Sequence, residues 1–215
     1  MAQRLRIGFA RHGGVKYLSH LELMRMWERV LRRAGWQLTY SQGFNPHPKL
    51  SFAAALPVGV AAEAELLEIQ LDESRPLGGA LEDLARQLPE GIAVLGVEEI
   101  PADAPAIQRS LMAAEYRVLC SRETQEEPVR REAERILAAG SLVRERAKEG
   151  KAKRYDLRPM IRALQVEPAA DGRAAVRMEL RTDAQGAGRP DEVLREMGLD
   201  PADCEITRLR LILRE

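Results

Sequence analysis

Leu5, Ile7 and Phe9 alternate with Arg4, Arg6 and Gly8 near the N-terminus, the pattern of a strand with one buried face. The period then lengthens. Leu23, Met24, Trp27, Val30, Leu31 and Ala34 fall on one side of a helix. Ser19 and Glu22 form a capping box at its start, Leu18 and Leu23 a hydrophobic staple, and Gly35 marks its end. Alternation returns from Lys49 to Leu56, where Leu50, Phe52, Ala54 and Leu56 point inward, and again at Leu67, Ile69 and Leu71. Pro76 occupies the favoured first position of a second helix with the stripe Leu77, Ala80, Leu81, Leu84, Ala85 and Leu88. Ile92 to Val97 reads as a closing strand.

Pro101, Asp103 and Pro105 make a linker, and after it the pattern recurs. Tyr116, Val118 and Cys120 alternate. Val129, Ala133, Ile136 and Leu137 share a helical face that ends at Gly140. Leu142 to Lys148 reads as a strand interrupted by a basic loop, and Tyr155 to Ile161 as a short helix or an insertion. Ala174, Val176, Met178 and Leu180 form a strand, Pro190 opens a helix, and Leu209, Leu211 and Leu213 close the chain. Each half therefore reads β-α-β-β-α-β, the second with an insertion before its third strand. The expected class is α+β: two tandem ferredoxin-like domains with antiparallel sheets, residues 1–101 and 112–215.

Composition narrows the function. Net charge is zero over 215 residues, so attraction to nucleic acid must come from local clusters. The sequence shows no membrane-length apolar run and no signal-peptide core, which points to a cytoplasmic protein without a membrane partner. Two cysteines, Cys120 and Cys204, are too few for a disulfide framework, a four-thiolate metal site or an iron–sulfur cluster, and read as buried free thiols. No cofactor is expected.

The candidate chemistry sits in two clusters. His12, His20 and His47 are the only histidines, all in the first fifty residues, and are the candidate catalytic groups. They lack a helical zinc-binding motif, so no metal is assigned to them. Arg11, Lys16, Asn45, His47 and Lys49, with the amides at the helix start, suit a phosphate or carboxylate instead. Pro46 and Pro48 hold His47 on stiff, extended backbone. In the second half, Lys148, Lys151, Lys153, Arg154 and Arg158 crowd around Tyr155, a combination that suits phosphates and a stacked base. RNA is the expected ligand and DNA is not. Arg177, Arg181, Arg208 and Arg210 read as a solvated sheet face.

The runs Gly14 to Leu23, Arg29 to Gly35, Tyr40 to Phe52 and Leu56 to Gly59, with Tyr155-Asp156-Leu157-Arg158-Pro159, resemble the radical SAM-linked proteins, a bacterial domain of unknown function. Such domains lie beside or fused to radical SAM proteins that often carry a B12-binding-type domain. The resemblance implies an accessory role with a radical SAM partner, presenting RNA or another substrate to it, and supplies no catalytic residues. Two other readings stand beside it. At fold level the expected architecture is similar to metal-independent CRISPR-type endoribonucleases, and a pure protein-interaction subunit would need no RNA.

Overall fold

The computed structural model describes residues 2–148, 151–183 and 185–214, with the side chains at 146–148 and 151–153 outside the description. The chain divides into two compact units, Met1–Leu111 and Met112–Glu215. The fold is mixed α+β, and its strand pairs of known register are all antiparallel.

In the first unit the elements are β1 (Gln3–Arg11), a 3₁₀ turn at Gly13–Tyr17, α1 (His20–Arg33), β2 (Leu50–Phe52), β3 (Ala61–Leu71), α2 (Ala80–Ala85), β4 (Ile92–Ile100) and α3 (Ile107–Ser110). The strands lie in the order β2-β3-β1-β4. Leu5, Ile7 and Phe9 meet Trp27, Val30 and Leu31 of α1 in a buried core. Phe9 packs edge-on against both Trp27 and Phe52, at 5.1 and 5.9 Å between ring centres. Each such side chain contributes about 1.5–3 kcal/mol on burial. The capping box forms as its residues imply: Ser19 Oγ accepts from the Glu22 amide and Glu22 accepts from the Ser19 amide.

Two expectations here were too long. The strand expected from Lys49 to Leu56 pairs only over Leu50–Phe52. The helix expected from Pro76 begins at Ala80, because Gly78 and Gly79 precede it and Gly79 adopts φ +83°.

The second unit runs β5 (Leu111–Leu119), α4 (Glu126–Ala138), β6 (Val143–Lys148), β7 (Lys151–Asp156), a 3₁₀ turn at Arg158–Met160, β8 (Ile161–Pro168), β9 (Ala174–Asp183), β10 (Gly186–Ala187), α5 (Pro190–Glu196) and β11 (Glu205–Leu213). Its principal strands lie in the order β8-β9-β5-β11, with the short β10 also on β9. The stretch Leu142 to Lys148 does not join them. It pairs with Lys151–Asp156 as a separate two-stranded ribbon. The unit's second strand is Ile161–Pro168, which the sequence reading left unassigned, so the insertion precedes the second strand rather than the third. Glu149 and Gly150, read as an interruption, lie outside the described residues. No helix among the described residues is long and apolar enough to cross a membrane.

Candidate functional site

The three histidines separate to opposite ends of the first unit. Arg11, at the end of β1, sits opposite Ala62 of β3, while Leu50, just after the His47 loop, sits opposite Ile69. These partners are seven steps apart along β3, on the order of 23 Å. His12 follows Arg11, and its amide donates to the Gly91 carbonyl at 2.8 Å. His20 opens α1 and meets Phe52 edge-on at 5.4 Å. His47 lies at the far end. Among the described residues, no group of three or more His, Cys, Asp or Glu could hold a metal ion.

The expected anion set divides the same way. Arg11 is fully buried, and its guanidinium donates to the carbonyls of Leu18, Pro57 and Val60. It fastens the 3₁₀ turn to the 56–60 turn. Lys16 lies 5.3 Å from the centre of the Tyr17 ring. At the start of α1 the protein's own Glu22 occupies the place of an external anion. The Ser19 hydroxyl and amide hold its carboxyl below the usual range.

Asn45, His47 and Lys49 belong to the other end, where the loop from Gly35 to Lys49 is braced at its neck. The Ser41 amide donates to the His47 carbonyl at 2.8 Å, and the His47 amide to Ser41 Oγ at 2.9 Å. The Lys49 amide donates to the Thr39 carbonyl at 2.7 Å, and Tyr40 bridges to Pro48. Gly43, at φ +125°, turns the tip. Phe44 beside it is fully exposed, and Asn45, His47 and Lys49 are exposed too. Beside the neck, Glu28, Arg32, Trp36, Leu38 and Tyr40 line a groove of about 390 Å³. Partial burial raises the Tyr40 phenol above its usual range, and its hydrogen bond to Glu28 at 3.0 Å adds to this. The sequence reading missed this groove. Glu28 and Tyr40 are twelve positions apart, and only the fold sets them together.

The second cluster is built on the ribbon β6–β7, which springs from between α4 and β8. Its base is closed by the Leu157 amide on the Leu142 carbonyl at 2.9 Å. Asp156 accepts from the amides of Leu142 at 2.7 Å and Arg158 at 3.0 Å. Those amides hold its carboxyl below the usual range. Arg158, expected to touch RNA, donates instead to the carbonyls of Ile161 and Leu137 at 2.9 and 3.0 Å. It ties the ribbon's base to α4. Arg154 is exposed and pairs with Glu145 at 2.6 Å. The side chains of Lys148, Lys151 and Lys153 lie outside the described residues; their backbone belongs to the ribbon.

Tyr155 lies opposite Arg144 in the ribbon register. Together with Arg189, Asp191 and Arg195 they line a groove of about 400 Å³. Burial would raise the Asp191 carboxyl, but its bonds to Arg195 and Arg189 bring it below the usual range. Arg144 pairs with Glu196. The sheet arginines are largely spent as well: Arg177 and Arg210 clamp Glu115 at 2.5 and 2.6 Å, Arg181 pairs with Asp183, and Arg208 is buried rather than solvated.

A family model described as an uncharacterized protein conserved in bacteria (DUF2344) matches residues 4–190. No curated protein matches the chain. Among solved structures the chain is similar to one in a Cbf5-Nop10-Gar1 complex, at 10% identity and a TM-score of 0.50, covering 96% of this chain and 48% of that one. That likeness concerns the fold, and this chain spans about half the length of the other. Similarity to a proposed glycine cleavage system transcriptional repressor covers 100% of this chain and 99% of that one. At 12% identity and a TM-score of 0.27 it carries no argument.

Proposed function

The chain belongs to the uncharacterized bacterial family DUF2344, and on that footing we propose that it is an accessory RNA-binding protein that presents RNA to a radical SAM enzyme in the cytoplasm. Its two units are, in this reading, tandem ferredoxin-like domains, the second carrying the RNA-binding insertion. One observation carries the proposal. A self-paired ribbon is inserted between α4 and β8, and its fourteen residues hold six lysines and arginines against three acidic residues. A chain of zero net charge has no global field to collect RNA, so a local basic ribbon supplies it. The groove at its foot adds Tyr155, an aromatic face beside three arginines, Arg144, Arg189 and Arg195, that alternate with Glu145, Asp191 and Glu192. The radical SAM partner rests on the resemblance of the motif loops.

Filter binding of a labelled single-stranded RNA at several salt concentrations tests the reading. Wild-type protein binds with an affinity that falls steeply with salt. Replacing Lys148, Lys151, Lys153 and Arg154 by glutamine flattens the slope by roughly two to three units if most of them meet phosphate. Wild-type protein that binds no RNA at low salt overturns the proposal.

A second reading, a pure protein-interaction subunit, is favoured by Phe44, a fully exposed aromatic ring on a braced tip. Such a preorganised aromatic suits an apolar pocket on a partner. Under that reading Phe44→Ala abolishes capture of the radical SAM partner while RNA binding is absent from the start.

A further inference from the structure

Cys120 directly follows β5 and Cys204 directly precedes β11, and β5 and β11 are neighbouring strands of the second unit. The fold therefore sets together two thiols that stand far apart in the sequence. Cys120 is fully buried, its amide fixed on the Ala174 carbonyl at 3.0 Å. Cys204 is half-buried, and its Sγ also reaches the Asp200 carbonyl at 3.3 Å. Each thiol shifts the acidity of the other, as near neighbours do. Among the described residues no further ligands gather around them to make a metal site.

We propose that Cys120 and Cys204 form a redox modification site that closes to an intramolecular disulfide, with a low-molecular-weight disulfide as the oxidant. Neighbouring strands lie about 4.7–4.9 Å apart, within the Cα separation that a disulfide bridges, so side-chain rotation suffices to bring the sulfurs together. The Cys204 thiolate, the one solvent reaches, attacks one sulfur of the oxidant. A mixed disulfide forms on Cys204 and the first small thiolate leaves. The Cys120 thiolate then attacks the Cys204 sulfur and expels the second. Two protein thiols give up two protons and two electrons, and the oxidant is reduced to two thiols.

Exposure rather than acidity sets this division of labour, since Cys120 is closed to solvent and Cys204 is not. The neighbouring Cys204 lowers the Cys120 thiol below its usual range, and Arg173, itself held by Asp171 and Glu205, assists. Cys120 in turn raises Cys204, as do its burial and the charges of Asp203 and Asp200. Cys120 is thus poised as the resolving thiolate behind the accessible sulfur. Once closed, the disulfide encloses α4, the basic ribbon, β8, β9 and α5 in one covalent loop.

The full-length protein is incubated with graded ratios of oxidised to reduced glutathione and read by intact mass and thiol titration. Wild type loses both thiols together and two hydrogens of mass, stays monomeric, and recovers with dithiothreitol. Cys120→Ser stops at a stable glutathione adduct on Cys204, and Cys204→Ser reacts at least tenfold more slowly than wild type. The proposal is overturned if wild type stops at a glutathione adduct, oxidises only to dimers, or keeps both thiols at oxidising ratios.

Discussion

The two units elaborate the same connection in opposite chemistries. In each, the chain between the first helix and the second strand is extended. In the first unit, between α1 and β2, it becomes a short loop closed by backbone hydrogen bonds and Ser41, with prolines on either side of His47 and Phe44 bare at the tip. In the second, between α4 and β8, it becomes a ribbon with nine charged residues in fourteen. A shared strand order thus leaves the chemistry of this position open. A connection that tolerates insertion is a place where a binding surface can be added to a scaffold.

The sharpest way to break this contrast is to remove the ribbon. Leu142 and Leu157 already meet through a 2.9 Å hydrogen bond, so residues 143–155 can be replaced by a short glycine-containing turn that keeps Asp156. With six cations gone, the salt slope of RNA binding should flatten by roughly four units, while the urea midpoint moves little. Unchanged binding would move the RNA site elsewhere. Next comes the foot of the ribbon. Tyr155→Ala should cost about 1–3 kcal/mol of RNA affinity with little change of salt slope if the ring stacks on a base. Arg158→Ala should instead cost about 1–3 kcal/mol of folding stability, because two carbonyls lose their charged donor. Chemical denaturation separates it from Tyr155→Ala.

Acid should loosen the ribbon's base before the first unit's neck, whose Ser41–His47 and Thr39–Lys49 bonds involve no carboxylate. Asp156 is depressed in the folded state, so its contribution is complete above the unfolded carboxyl's value, near ~3.9, and fades as the pH falls through its lower folded value. Unfolding midpoints of wild type and Asp156→Asn should converge only in strong acid. The smallest effect is expected at the first unit's tip. His47→Ala should change stability by no more than about 0.5 kcal/mol, since its side chain is exposed and the bracing runs through its backbone. A large loss would make the residue structural and remove it from the site.

What the sequence disclosed, and what it hid, follows from the same contacts. The strand at Leu5, Ile7 and Phe9 and the box of Ser19 and Glu22 were legible because each depends on neighbours a few positions away. The strand Ile161–Pro168 was not. A register shift between Ile161 and Ala163 puts its buried residues at Ile161, Leu164 and Val166, which breaks the alternation a strand is recognised by. Arg11 and Arg158 read as cations for a ligand, yet both are spent on carbonyls. Nothing local distinguishes an arginine that fastens loops from one that faces solvent. The placing of Cys120 and Cys204 at the ends of neighbouring strands and the contact of Glu28 with Tyr40 depend on strand order and helix placement, which no spacing in the chain encodes.

The ribbon also poses a problem of self-association. A two-stranded sheet has two outer edges whose amides and carbonyls invite another chain to add a strand, and β6–β7 pairs with no further strand among the described residues. Charged residues along such edges keep identical copies apart by repulsion. The cations read here as a grip for RNA therefore guard the molecule against aggregation as well. Replacing them with valine or isoleucine would favour the extended strands and convert the ribbon into a seed for intermolecular sheets.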